Sequence, residues 1–234
     1  MHIPQIELIS LSCVIISKTL KYCMRNYSTG GEDLLIAQAF EKITPKNRFA
    51  VEFGARDGYQ GSNIRLFLDH GWEGLQFDID AKLLLYFYVA IKIQHFTAEN
   101  INDVFTKHNV PHDFDLLSLD VDCNDYWLWK ALKYEPTVVC IEYNSNFDYK
   151  TEAIVEYKPE NQWDYTMSYG ASFASMCKLA DKKGYYLYAE ADYSNLIFIR
   201  KEYEKICPSI FSKEKTILPH EFHIQQVTKK FVVD

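Results

Sequence analysis

Oxygen-bearing side chains recur at one kind of place in this sequence, the end of a short apolar run. Glu52 sits inside FAVEF, Asp78 and Asp80 close GLQFDID, Asp120 and Asp122 follow FDLLSL, and Glu142 and Asn144 close TVVCIEYN. Such runs read as buried strands, and in an open parallel sheet ligands bind beyond the carboxyl ends of the strands. Carboxylates gathered there repel one another unless a cation or ligand hydroxyls occupy them. The acid ending the second strand can accept both hydroxyls of a ribose, Asp78 ahead of Asp80. Glu52 can face the cationic or amino end of a ligand, directly or through water. Asp120 suits a general base towards a hydroxyl, or a metal ligand. Asp120 or Asp122 with Glu142 and Asn144 would make an all-oxygen set for a hard divalent cation. Helix capping and strand-end solvation are the plainer uses of the same residues.

Glu52 also opens the spacing E-x-G-x-x-x-G, with Gly54 and Gly58, and Gly61, Ser62 and Asn63 lie just beyond. This reads as strand, glycine turn and helix, the helix capped by Ser62, carrying Ile64, Phe67 and Leu68, and stopping at Gly71. Glycines let the main chain turn sharply and let a ligand come close. The start of the helix would present free N–H groups to that ligand. A phosphate would be repelled by Glu52, whereas a cationic ligand with an amino group would not. The dinucleotide fingerprint G-x-G-x-x-G is missing here, which argues against a nicotinamide-dependent oxidoreductase or epimerase.

The positions around these residues predict a single α/β domain. A chain of 234 residues can bury a sizeable core without staples, and 48% apolar with 24% charged residues is ordinary for a globular protein. A net charge of −7 without a basic run argues against a nucleic-acid partner. The six cysteines are scattered, with no C-x-x-C and no zinc spacing to histidine, and read as free, mostly buried thiols of a reducing, cytoplasmic compartment. The apolar stretch 6–16 is about half of a membrane span. It reads as an element packed on the domain, with a weak membrane anchor as the minority reading. No histidine is singled out, His220 and His223 lacking a third partner in sequence.

Strand–helix alternation runs from Arg48 to Tyr143 and implies βαβ units and a parallel sheet. Helices are expected over 33–43, 81–91, 100–109, 125–133 and 171–183, and strands over 74–80, 92–96, 114–120 and 137–143. Two last strands, 185–189 and 196–200, read as antiparallel neighbours across a tight turn. Residues 145–169 are too long and irregular for an ordinary connection and read as a lid or substrate loop. The domain therefore spans 46–202, preceded by an extension over 1–45 and followed by a polar tail over 203–234. Tyr126, Trp127 and Trp129 are expected to pack a helix on the sheet, stacking on adenine being the sharper alternative.

Several blocks in order resemble an FkbM-type methyltransferase family: EFGARDG with GSN (52–63), GWEGLQFDID (71–80), FDLLSLDVDCNDYW (114–127), PTVVCIEYN (136–144), GAS (170–172) and NLIFI (195–199). The likeness covers residues 46–202. It implies a class I, Rossmann-like methyltransferase fold, a mostly parallel seven-stranded sheet with the last strand antiparallel and helices on both faces. It further implies methyl transfer from S-adenosylmethionine to a hydroxyl on a sugar, glycan or other small acceptor. Carried over by position, Glu52, Gly54, Ala55 and Gly58 would line the methionine end of the cofactor, and Asp78 would hold the ribose. Asp57, Ser62, Asn63 and Asp80 complete the expected cofactor set; Asp120, with Asp122 and Glu142, would stand at the reacting centre. The chain departs from the family's pattern at Arg56, where an aromatic or small residue is expected, at Cys123 for Gly, and at Asp78 for a longer Glu. A methyltransferase-fold binding or scaffolding module without turnover is the alternative reading.

Overall fold

Four strands carry an alternation that matches two cores. Phe53, Leu119, Ile141 and Phe198 face one helical layer, whereas Ala50, Leu116, Cys140 and Ile197 face the other. Side chains alternate along a strand, so burial on both faces demands apolar residues at nearly every position. That is why β1 (Phe49–Phe53), β4 (Leu116–Leu119) and β5 (Val138–Glu142) are apolar runs. The computed structural model describes residues 26–79, 91–212 and 227–234.

The main sheet has seven strands in the order β3-β2-β1-β4-β5-β8-β7, completed by β2 (Glu73–Asp78), β3 (Ile91–Ile93), β7 (Tyr185–Ala191) and β8 (Asn195–Arg200). β1 pairs in parallel with β2 and β4, and β4 with β5, while β8 runs antiparallel to both β5 and β7. This is a Rossmann-like α/β sheet whose last strand is the antiparallel one, as expected. The chain reverses its lateral direction between β1 and β4, which makes that crevice the switch point where ligands bind in open sheets.

Helices α1 (Glu32–Phe40) and α2 (Arg65–Asp69) lie with one core, and α3 (Ile101–Lys107), α4 (Asp125–Ala131) and α5 (Phe173–Lys183) with the other. Ser172 caps α5 by accepting from Ser175 N–H, and Gly184 ends it at φ 84°, a left-handed conformation that costs glycine little. Trp129 of α4 is fully buried against Tyr185 and Phe198, so the Trp-rich helix packs on the sheet as anticipated. Among the described residues Cys123, Cys140, Cys177 and Cys207 are free thiols, and no helix is long and apolar enough to cross a membrane. The apolar stretch 6–16, Asp80, His220, His223 and the helix expected over 81–91, except Ile91, lie outside the described residues, and Ile91 opens β3 instead.

Two expectations change. The loop 145–169 contains a short strand, β6 (Ile154–Val155), and the tail supplies its partner, β9 (Phe231–Val232). Neither two-residue segment has a period to read. They become strands because each completes the other's hydrogen bonds, Glu156 N–H donating to Lys230 O at 2.8 Å. The tail is pinned further by Lys229 to Asp164 at 2.9 Å and by Thr228 Oγ1 donating to Asp164 Oδ2 at 2.7 Å.

Candidate functional site

Register builds the site. Phe53 pairs with Phe77 and Leu119, and Leu119 with Ile141. The next residue along each strand therefore falls into one row: Asp78, Gly54, Asp120, Glu142. Three acids and a glycine thus share the carboxyl edge of the sheet. Gly54 stands at φ 70°, and a Cβ there would lie 1.9 Å from the Asp120 carbonyl oxygen. Only glycine lets β1 turn away this close to β4.

Two residues earlier, the same face carries a second polar row, Gln76, Glu52, Ser118 and Cys140. Glu52 is 3% exposed, and its carboxylate accepts from Ser62 Oγ at 2.7 Å, Asn63 N–H at 2.6 Å and Gln76 Nε2 at 2.8 Å. Burial raises its pKa, and these hydrogen bonds pull it back down. Asn63 passes the network on, donating from Nδ2 to Ser118 Oγ at 3.0 Å. Glu52, Ser62 and Asn63 thus tie the glycine turn to the sheet from beneath and do not line the cavity. Asp57 is likewise local, Oδ1 accepting from Tyr59 and Gln60 N–H groups at 2.9 and 2.8 Å. The expected helix start with N–H groups free for a ligand does not form as such either. α2 has five residues, begins three positions after Ser62, and has the Asn63 N–H already bonded to Glu52. Ser62 still receives Arg65 N–H at 3.0 Å, the trace of the expected cap.

The turn itself is held to β2. Ala55 N–H donates to Phe77 O at 3.0 Å, Gly58 N–H to Ala55 O at 2.7 Å, and Arg56 N–H to Asp78 Oδ2 at 2.7 Å. Arg56 takes φ 52°, unusual for a side-chain-bearing residue. Above it opens a cavity of about 510 Å³, walled by Gly54, Asp78, Asp120 and Asp122 from the strand ends and by His95 and Phe96 after β3. Asn161, Gln162, Trp163 and Tyr165 close it from the 145–169 loop. The volume lies within the usual range for small-molecule sites, roughly 300–1,000 Å³.

No family model matches the chain, and no curated protein is significantly similar to it.

Asp120 and Asp122, two residues apart, would share a face if the strand ran through them. β4 ends at Leu119 instead, and Asp122 takes a left-handed φ of 62°. The turn, not the pleat, brings them together. It is pinned by Asp125, which is fully buried and accepts from Val121 N–H at 2.8 Å and Cys123 N–H at 3.1 Å. Burial pushes Asp125 up to about 7 against those bonds. No motif marks Asp125; its signal in the sequence is an acid in the first turn of α4.

Burial, followed by repulsion from Asp125 and Asp122, holds the Asp120 carboxyl well above the usual range. Glu142 is raised likewise, by burial and then by Asp120, and its Oε2 is sealed from solvent with no hydrogen-bond partner. Desolvation raises Asp122 too, while the Arg56 guanidinium opposes. Oxygens of Asp120, Asp122 and Glu142 lie within 4.8 Å of one another. Asn144 does not join them. Its Nδ2 donates to Met167 O and Tyr169 O at 2.9 and 2.7 Å and its Oδ1 accepts from Asn146, so it anchors the 145–169 loop. Cavity residues that no sequence motif pointed to, Gln162, Trp163 and Tyr165, come from a segment without periodicity.

Proposed function

We propose that this protein is an S-adenosylmethionine-dependent O-methyltransferase acting on a small hydroxylated acceptor. The observation that carries the reading is the wall of the switch-point cavity: Asp78, Asp120 and Asp122 outnumber the single arginine, Arg56. A phosphate-bearing cofactor would meet repulsion there, whereas a cationic sulfonium ligand gains. The residues present fit such a ligand in two further ways. Gly54 leaves main chain bare at the crevice between β1 and β4, and Asp78 puts a carboxylate at the end of the second strand, where a ribose diol would be held.

When bound, S-adenosylmethionine supplies an electrophilic methyl group on sulfur. The chain's own part is positioning. Gly54 and Arg56 of the turn would hold the methionine end and Asp78 the ribose. Phe96, stacked on Phe53 with ring centroids 4.0 Å apart, gives the wall an apolar surface for a base. Asp120, on the cavity wall, orients the acceptor hydroxyl and in its ionised form receives that proton. The 161–165 segment limits the entry of water.

Calorimetric titration of the folded protein with S-adenosylmethionine tests this. Saturable binding at one site is expected, weakened roughly tenfold or more by Asp78→Ala, as loss of a charged hydrogen-bond acceptor predicts. No binding at millimolar ligand would sink the reading.

A further inference from the structure

Asp120, Asp122 and Glu142 each bring one oxygen to within 4.8 Å of the others. Ligands on one calcium or magnesium ion sit about 2.0–2.6 Å from it, hence at most about 5 Å from each other. The spacing therefore admits one ion touching all three without moving the backbone. Among the described residues no other group of three acids, histidines or cysteines meets this geometry.

Crowded acids alone decide nothing, but one of their own oxygens, and a buried amide oxygen of a residue lining the same cavity, lack partners. Glu142 Oε2 is inaccessible and meets no donor. Asn124 is 3% exposed and lines the same cavity as Asp120 and Asp122. Its Nδ2 donates to Lys158 O at 2.9 Å, while its Oδ1 is buried without a donor. Buried oxygens normally find partners. A proton shared among the acids supplies one donor and leaves the remaining lone pairs empty; a cation serves them all. The donors are oxygens throughout, the preference of hard divalent ions. Cys123, the nearest thiol in the sequence, is held protonated by burial, its pKa pushed up to about 12.

We propose that Asp120, Asp122 and Glu142 bind one hard divalent cation, magnesium or manganese, at the carboxyl edge of β4 and β5, on the cavity that Asn124 also lines. The use of the ion rests on the methyl-transfer reading; its binding does not. Asp120 and Asp122 face the cavity, so an ion on them is open to an acceptor hydroxyl oxygen. An ion held there would polarise the acceptor hydroxyl and ease loss of its proton to water, with Asp120 as one of the residues holding it. Without it Asp120 must receive that proton itself.

The test is titration of the full chain, free of cofactor, with manganese, following the free ion by electron paramagnetic resonance and competing with magnesium. One equivalent is expected to bind. Asp122→Asn and Glu142→Gln should each weaken it at least roughly tenfold, and Glu135→Gln, at an exposed acid, should leave it unchanged. Asp122 is exposed, so its variant folds even if that of the half-buried Glu142 does not. No bound manganese, or equal affinity in the parent and the Asp122 variant, overturns the proposal. Either result leaves the binding of S-adenosylmethionine standing, and failure of that binding leaves the ion site standing.

Discussion

Glu52 and Glu142 are both glutamates on inner strands of one sheet, both raised in pKa first of all by desolvation. Glu52 meets donors from Ser62, Asn63 and Gln76, whereas Glu142 Oε2 meets none. The first is a joint: its charge is spread over a network tying the glycine turn to β1 and β2. The second belongs to a group that repels itself and lacks partners. A buried charge that is fully hydrogen-bonded explains its own presence by structure, and one that is not calls for a ligand. A row of acids at strand ends thus resolves into two kinds, separated by one turn of the pleat.

The comparison breaks most sharply at Gly54, which holds the two rows together. Gly54→Ala should cost about 4 kcal/mol or more in urea unfolding, because its Cβ meets the Asp120 carbonyl at 1.9 Å and its φ is left-handed. A loss below about 1 kcal/mol would mean that β1 and β4 do not approach this closely. Glu52→Ala comes next. It strands the donors of Ser62, Asn63 and Gln76 and should cost about 3 kcal/mol or more.

Glu142→Gln should go the other way in metal-free protein, leaving stability unchanged or raising it by up to about 1 kcal/mol at pH 8. A destabilisation comparable to that of Glu52→Ala would erase the distinction between the two sites.

The pH dependence has a definite sign. A carboxyl raised in the folded state contributes stability that is full below its unfolded pKa, near 4, and is lost as pH rises through the folded value. Asp125, titrating at about 7, and Asp120 and Glu142, held well above the usual carboxylate range by burial, all act this way. The metal-free urea midpoint should therefore rise as pH falls from 8 to 6, less steeply in Glu142→Gln. A flat or falling midpoint would contradict the burial of these acids. The smallest effect belongs to Asp164→Asn, which removes exposed contacts to Lys229 and Thr228 and should cost under about 1 kcal/mol in the same unfolding assay.

Much of the sheet was legible because burial on both faces leaves long apolar runs. The strands at 49–53, 116–119 and 138–142 lie within the stretches where apolar residues predict them. The final antiparallel pair was legible from its tight turn. β6 and β9 were not, since two residues hold no period and pair only across the fold. The candidate site was half legible. Gly54, Asp78, Asp120 and Asp122 do line one cavity, whereas Ser62 and Asn63 sit beneath it and Asn144 anchors a loop.

Residue types and spacing alone determined the layered α/β class and the gathering of acids at strand ends, because periodicity and strand length are local properties of the chain. Only the tertiary structure decided which acids are partnered. Glu52 and Glu142 stand in similar apolar runs, and what separates them is the company brought by remote segments: Ser62, Asn63 and Gln76 around the one, Asp120 and Asp122 beside the other. Hydrogen bonding and desolvation depend on those neighbours, and strand register sets them.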